Sequence, residues 1–338
     1  MDLSNEKENL IKVLRKKNSK RFNIVVMPHF CIDNFVHCNQ KPDIFINNLK
    51  ALLAQGGGNI TFSQELHCGG KAANCASALS SLGLHVTLIA KTSILGYKLL
   101  KHFFAGKDVE LSHVAKDGGL AFTTALELEG SNLMLSYAGS LENFGPEFIS
   151  SRDEKIIKKA DVVCISDWGL NNKGTALAQH VFSIAKEGKA KTFFDPGDPS
   201  PKGKKEHKEI EGINRLLAKG LIDMLSVNEN EVIRYGTIDF LKKFTMVELH
   251  TASYAMSASK NFTTEKVPAF NVSPLRLTGA GDAWAAGDIF GLCLSLPAVQ
   301  RLMLAHAVAA YYISQPQGKH AKRHEVASFL EDARFKQI

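Results

Sequence analysis

What the chain lacks narrows its function first. No apolar run approaches the length that crosses a membrane. The first residues, Met1-Asp2-Leu3-Ser4-Asn5-Glu6, lack the basic start and apolar core of a secretory signal. A cytoplasmic protein with no membrane partner is therefore expected. The 6 cysteines, Cys31, Cys38, Cys68, Cys75, Cys164 and Cys293, are scattered without a Cys-x-x-Cys pair. That points to reduced thiols rather than a disulfide framework or a zinc site. No Gly-x-Gly-x-x-Gly follows the first apolar strand: residues 29–34 read His-Phe-Cys-Ile-Asp-Asn, which argues against a Rossmann dehydrogenase. Internal repeats and low-complexity segments are absent, and no groove-reading motif accompanies the basic residues, so no nucleic-acid partner is expected.

What remains is an ordinary globular composition, 45% hydrophobic and 22% charged over 338 residues, enough for a large core in one domain or two. The net charge of +7 comes partly from Lys12, Arg15, Lys16, Lys17, Lys20 and Arg21, and partly from Lys202, Lys204, Lys205 and Lys208. Both runs read as solvated surface, and such a surface also steers a polyanion such as ATP. Residues 22–28 read as a buried strand, 72–83 as a closely packed Ala- and Ser-rich helix, 85–90 as a strand and 96–104 as a helix. Residues 121–137 alternate around Glu129-Gly130-Ser131-Asn132 and predict a hairpin. From 155 the pattern is regular: helix 155–160, strand 161–166, helix 174–187, strand 190–195, helix 206–219, strand 222–227, helix 229–234 and strand 245–249. This alternation predicts an α/β fold with a mainly parallel sheet and helices on both faces. Asp167, Asp195, Asn228 and His250 each close a predicted strand, so they should share the rim where such sheets bind ligands. Residues 196–206, rich in proline, read as a surface loop.

Three motifs carry chemistry. Gly279-Ala280-Gly281-Asp282 opens an apolar, small-residue helix. Glycines let a ligand approach the backbone, and first-turn amides attract anions. A carboxylate there repels phosphate, but it suits a base that takes a proton from a hydroxyl while the amides hold the phosphoryl group. The bland alternative is a helix cap with glycines for packing. In the second motif Gly69-Gly70 opens the 72–83 helix, with Lys71 and Asn74 as polar contacts for a substrate; a tight strand-to-helix turn explains the same residues. The third, Asn228-Glu229-Asn230-Glu231, is either a helix cap with acidic first-turn residues or a sparse site for hydrated Mg²⁺ beside ATP phosphates, held by Asn228 and Glu231 through water.

The order and spacing of the three motifs resemble the ribokinase-like (PfkB) carbohydrate kinase family over residues 22–332. The resemblance implies a ribokinase-like doubly wound α/β domain over 22–338, preceded by a basic extension over 1–21. It implies a small β-sheet lid from about 30–65 and 118–140, and a possible homodimer through that lid. It implies an ATP- and Mg²⁺-dependent kinase that moves the γ-phosphate to a hydroxyl of a small sugar-like substrate. Asp282 resembles the base, and Gly279, Ala280 and Gly281 the anion hole. Asp33 resembles the residue that holds a substrate hydroxyl, and Gly69, Gly70 and Asn74 further substrate contacts. Asp195 resembles a polar residue near the phosphates.

Two departures stand out. Arg276-Leu277 replaces the Asp-Thr that in some members helps to bind a monovalent cation. A fixed cation there suits a substrate carboxylate or phosphate. The nucleotide loop carries His250, Thr251 and Ser253 in place of a Gly-x-x-Gly. An anionic or phosphorylated acceptor, such as 2-keto-3-deoxygluconate or mevalonate 3-phosphate, is thus an alternative, as is a non-catalytic sensor of nucleotide or sugar.

Overall fold

Successive side chains on a strand point to opposite faces, and here both faces are buried. Ile24, Val26, Val162, Cys164 and Phe193 enter one hydrophobic core. Their neighbours Val25, Met27, Val163, Ile165 and Phe194 enter a second. Near-continuous apolar runs of this kind are what a parallel sheet covered on both sides requires.

The structure is a computed structural model and describes residues 2–16 and 20–337, without the side chain of Asn132. Lys17 of the first basic run lies outside the described residues. In chain order the elements are α1 (Leu3–Arg15), β1 (Asn23–Met27), β2 (Cys31–His37), α2 (Pro42–Ala54), β3 (Ser63–Gly69), α3 (Lys71–Ser81), β4 (His85–Leu88), β5 (Ala90–Lys91), α4 (Ile94–Phe103), β6 (Val109–Glu110), β7 (Val114–Ala115), β8 (Ala121–Leu128) and β9 (Ser131–Tyr137). They continue as α5 (Ser151–Lys159), β10 (Val162–Ser166), α6 (Gly174–Gly188), β11 (Lys191–Asp195), α7 (Glu206–Ala218), β12 (Met224–Asn228), α8 (Glu229–Tyr235), α9 (Ile238–Leu241), β13 (Met246–His250), β14 (Tyr254–Ala258), β15 (Val267–Pro268), α10 (Ala280–Cys293), α11 (Ala298–Ile313) and α12 (Arg323–Asp332).

Among the described residues nine strands form the main sheet in the order β15-β14-β13-β12-β11-β10-β1-β4-β6. It is parallel from β13 to β6, and β14 and β15 add an antiparallel edge. The chain moves outward from β1 through β4 to β6, and from β10 through β11 to β13. The two directions diverge between β1 and β10. In doubly wound sheets the crevice beyond such a switch point receives the ligand. The predicted strands from 155 onward form within a residue or two of their expected positions.

A separate sheet, β3-β2-β8-β9, is built from residues 31–37, 63–69, 121–128 and 131–137. In its register Asp33 lies opposite His67 and Thr123. Between β2 and β3 the chain forms α2, which the strand-minded reading of this region does not anticipate. Phe45 is its buried residue and packs with Val36, Cys38 and Leu126, while Ile44, Leu49 and Leu53 stay exposed. A helix that buries so little of its apolar side leaves a weak amphipathic signal. The first helix, α1, is anchored by Leu10 and Leu14 in the main core, and Arg323 donates to the carbonyls of Val13 and Leu14. Helices α10 and α11 pack closely: a Cβ on Gly287 would stand 2.7 Å from the Ala305 Cα.

Candidate active site

The ends of β1 and β10 bring two titratable residues together at the switch point. His29 follows β1, and Asp167 follows β10 with a left-handed φ of +56°. His29 Nδ1 contacts Asp167 Oδ2, and that carboxylate also accepts the Lys71 amide at 3.3 Å. Burial disfavours both charges, yet their mutual attraction prevails. It holds His29 above its ordinary range and Asp167 below.

The chain reaches α3 through two closely packed glycines. A Cβ on Gly69 would lie 2.3 Å from the Asp33 carboxyl. Gly70 has φ +89°, and its Cβ would lie 2.8 Å from the Phe30 Cα. This close passage sets Lys71 and Asn74 on the first turn of α3, facing the rim. Lys71 Nζ donates to Asp195 Oδ1 at 2.8 Å. Burial opposes its charge, but Asp195, Asp167, Asp282 and Glu231 surround it and raise its pKa. Lys71, read from sequence as a substrate contact, thus lies at the centre of an acidic cluster.

Asp282 occupies the first turn of α10 and is 6% exposed. Asn74 Nδ2 donates to its Oδ2 at 2.8 Å, which joins α3 to α10 across the cleft. Burial pushes its pKa up to about 7, reinforced by Asp195 and Asp167 and opposed by Lys71 and Asn74. Gly279 caps the helix with φ +88°, and its Cβ would collide with the Tyr312 hydroxyl at 2.5 Å. A Cβ on Gly281 would meet nothing within 4 Å, so open space borders the turn at that point. Helix-terminal amides have no partner within the helix. The Ala280 amide is bonded to Leu277 O at 3.1 Å, so the donors left for a ligand are those of Gly281 and Asp282.

Asp33 enters from the small sheet and is buried. Burial raises its pKa, while a 3.2 Å bond from Cys31 Sγ and the charges of His29, His67 and Arg276 oppose the rise. Asn228 and Glu231 form a reciprocal cap on α8: Asn228 Oδ1 accepts the Glu231 amide at 2.9 Å, and Glu231 Oε2 accepts the Asn228 amide at 3.0 Å. The cap and the acidic function are therefore not exclusive. Burial raises Glu231, partly offset by Lys71. Among the described residues no group of three or more His, Cys, Asp or Glu side chains is arranged to hold a metal directly. A magnesium ion that keeps most of its water needs fewer protein oxygens, and the surplus of carboxylates around Lys71 suits a cation.

At the end of β13, His250 stacks on Trp284 with centroids 4.6 Å apart. Burial, then Lys71 and His306, lower its pKa to about 3, so the ring is neutral. Thr251 is committed to a local turn through Tyr254. Arg276 lies over Tyr312 at 5.1 Å and Phe35 at 5.8 Å, and its buried Nε has no hydrogen-bond partner. Asp33, Lys71, Asn74, Asp195, Glu231 and Asp282 thus converge electrostatically. Arg276 joins them through Asp33, and His250 through Lys71. Sequence reading missed His29, although its place after the first parallel strand was a usable signal. It also missed Tyr312 and His320, which carry no local signal at all.

The chain is similar to known proteins in sequence and in fold. The profile described as "pfkB family carbohydrate kinase" matches residues 5–234, so the Gly279–Asp282 turn lies beyond the matched region. The chain is 28% identical over 286 residues to an ATP-dependent ribose-1-phosphate kinase of Halopiger xanaduensis, covering 80% of this chain and 88% of that one. It is 24% identical over 337 residues to a 5-dehydro-2-deoxygluconokinase of Listeria monocytogenes, covering 91% and 95%. In fold it resembles the Sinorhizobium meliloti adenosine kinase, with TM-score 0.73, 18% identity and coverage of 91% and 98%. It likewise resembles the Arabidopsis thaliana ribokinase complexed with ribose and ATP, with TM-score 0.72, 18% identity and coverage of 92% and 99%. No helix among the described residues is long and apolar enough to cross a membrane.

The raised Asp282 has a consequence for stability. An acid whose pKa is higher folded than unfolded binds its proton more tightly in the native state. Its contribution to stability then falls as pH rises from the unfolded value, about 4, to the folded value. Above pH 7 the buried charge costs at most about 4 kcal/mol. Asp282→Asn is therefore expected to raise the melting temperature by several degrees at pH 8 and by clearly less at pH 5. Equal shifts at the two pH values would contradict this electrostatic assignment.

Proposed function

The chain belongs to the pfkB family of carbohydrate kinases, and we propose that it moves the γ-phosphate of ATP to a hydroxyl of a small sugar-like acceptor. The observation that carries the reading is Asp282: a buried carboxylate, hydrogen-bonded by Asn74, on the first turn of a helix that still has amides to offer. Its pKa of about 7 suits a general base at neutral pH.

The acceptor hydroxyl lies beside Asp282, and Asp33 and Asn74 orient the remaining hydroxyls. The glycine pair Gly69-Gly70 lets the acceptor lie against the backbone. As the acceptor oxygen bonds to the γ-phosphorus, its proton passes to the Asp282 carboxylate and the bond from phosphorus to the ADP oxygen breaks. Charge growing on the transferring group meets the amides of Gly281 and Asp282. Lys71 holds Asp195 and offsets part of the acidic cluster that would otherwise repel the polyphosphate. Asn228 and Glu231 would hold Mg²⁺ through water, with Asp195 beside them, and the bound ion would neutralise phosphate charge. His250 and Thr251 border the nucleotide, and the neutral His250–Trp284 stack offers it a flat apolar wall. Closure of the small sheet over the acceptor excludes the water that would otherwise hydrolyse ATP.

The cytoplasmic location and a homodimer through the small sheet belong to the same proposal. Leu66, Leu133, Leu135 and Tyr137 stand exposed on one face of that sheet. Light scattering is expected to give a dimer mass that Leu133→Glu with Leu135→Glu reduces to a monomer. A monomer mass for the unaltered chain would exclude the dimer.

The kinase assignment is tested by ADP release over a panel of sugars, nucleosides, sugar acids and sugar phosphates. Asp282→Asn should lower turnover of the best acceptor by about 10²–10⁴-fold, with little change in the Michaelis constant for ATP. Near-normal turnover in that variant would rule out Asp282 as the base.

A further inference from the structure

A cavity of about 1100 Å³ runs along α3, beginning at Asn74 and continuing past Ser77 to the far end of the helix. Asn74 is the residue that binds Asp282, so the cavity opens from the reacting centre. Ser77, one turn farther on, lies about 5 Å beyond it along the helix.

The charge of this cavity is one-sided. Arg276, Lys107 and Arg323 contribute to the lining, and among the described residues Asp108 is its one carboxylate. Asp108 is already engaged, by Arg21 at 3.2 Å and by His85 Nδ1 at 2.7 Å. Arg276 is held between the Tyr312 and Phe35 rings, which fix its position without neutralising it. Neither Arg276 nor Lys107 forms an ion pair among the described residues. Burial lowers the Lys107 pKa, the expected response of an ammonium drawn from water without a carboxylate.

His320 lines the same cavity and feels both cations. Its ring stacks on Tyr312 at 4.7 Å, and Ser77 Oγ meets its Nδ1 at 2.9 Å. Burial first, then Lys107 and Arg276, depress its pKa to about 3, which makes the ring neutral and places both cations near it. In the tautomer whose Nδ1 accepts from the Ser77 hydroxyl, the neutral ring carries its proton on Nε2 and can donate it to an anion. That nitrogen is buried and has no partner. A buried donor left unpaired costs free energy, as does a half-buried cation without a counterion, and one anion in the cavity would satisfy all three groups.

We propose that the acceptor alcohol carries a phosphate or a carboxylate, seated in this cavity about one helical turn from Asn74, with Arg276 and Lys107 as its cationic partners and His320 Nε2 as a neutral donor. The inference rests on the kinase reading above, because Asn74 is what ties the cavity to Asp282. It also divides the labour along α3: one end of the acceptor meets the acidic rim and is phosphorylated, and the other meets fixed positive charge. An acceptor with its anion at the wrong end would meet repulsion at Asp33 and Asp282.

The test compares matched acceptors, ribose against ribose 1-phosphate and glucose against gluconate, by ADP release from the full chain. A second arm measures binding of inorganic phosphate with magnesium AMPPNP saturating the nucleotide site. At least one anionic member should exceed its neutral partner by about tenfold or more in kcat/KM. Arg276→Ala and Lys107→Ala should each erode that preference, and Arg276→Lys should keep more of it than Arg276→Ala. In the double alanine variant phosphate binding should weaken by about tenfold or more. A preference for neutral acceptors, a preference both variants leave intact, or phosphate binding that is absent or indifferent to the double substitution would overturn the proposal. If no acceptor in the panel reacts, the phosphate arm decides. The two readings fail separately: loss of turnover in Asp282→Asn without anion preference leaves the kinase and removes the anion site. Anion preference with normal turnover in Asp282→Asn keeps the anion site and removes Asp282 as the base.

Discussion

One ammonium among four carboxylates governs the centre of this protein. Lys71 is paired with Asp195 and lies within the field of Asp167, Asp282 and Glu231. Ionised carboxylates are costly to bury, and several in one place cannot all keep ordinary pKa values. The imbalance appears unevenly: Asp167, braced by His29, is held low, while Asp282 and Glu231 are pushed up. A polyphosphate could not enter so acidic a rim unaided, which gives a physical reason for the proposed Mg²⁺. Burial, reinforced by the neighbouring carboxylates, leaves Asp282 able to exchange a proton near neutrality.

Helix α3 divides the molecule electrostatically. Its first turn, reached through Gly69 and Gly70, presents Lys71 and Asn74 to the acidic rim. Its next turn presents Ser77 to a cavity bordered by Arg276, Lys107 and His320. A molecule lying across the first two turns of α3 therefore spans a steep change in potential, and only one orientation of a singly charged acceptor matches it. Aromatic rings support both ends: Trp284 under His250, and Tyr312 under Arg276 and His320.

Much of the parallel sheet was legible because each parallel strand from residue 161 onward is a short apolar run ended by a polar residue, and those polar residues, Asp167, Asp195, Asn228 and His250, do line one rim. The three glycine and Asn-x-x-Glu motifs were legible because close backbone approach and helix capping demand particular residue types. Less of the site could be read. Lys71 looked like a substrate contact because nothing in sequence shows that Asp195, far along the chain, will pair with it. Lys107 and His320 sit in connecting segments whose position depends on tertiary packing, so the cavity they border has no linear signature. Arg276 stands out in the sequence as a fixed charge near the turn, but its partners Tyr312 and Phe35 come from a distant helix and from the small sheet. Helix α2 went unread because most of its apolar side faces outward.

The claim on which the rest depends is that a single buried carboxylate, poised near pH 7 by its surroundings, takes the proton from the acceptor. The pH dependence of kcat/KM for the best acceptor tests it most directly. The base must be ionised to act, so the rate constant should rise with pH, with unit slope at the acid side and a plateau above an apparent pKa near the value of about 7 that burial gives Asp282. A profile flat from about pH 5 to 9, or one that breaks near 4 like an ordinary carboxylate, would contradict it.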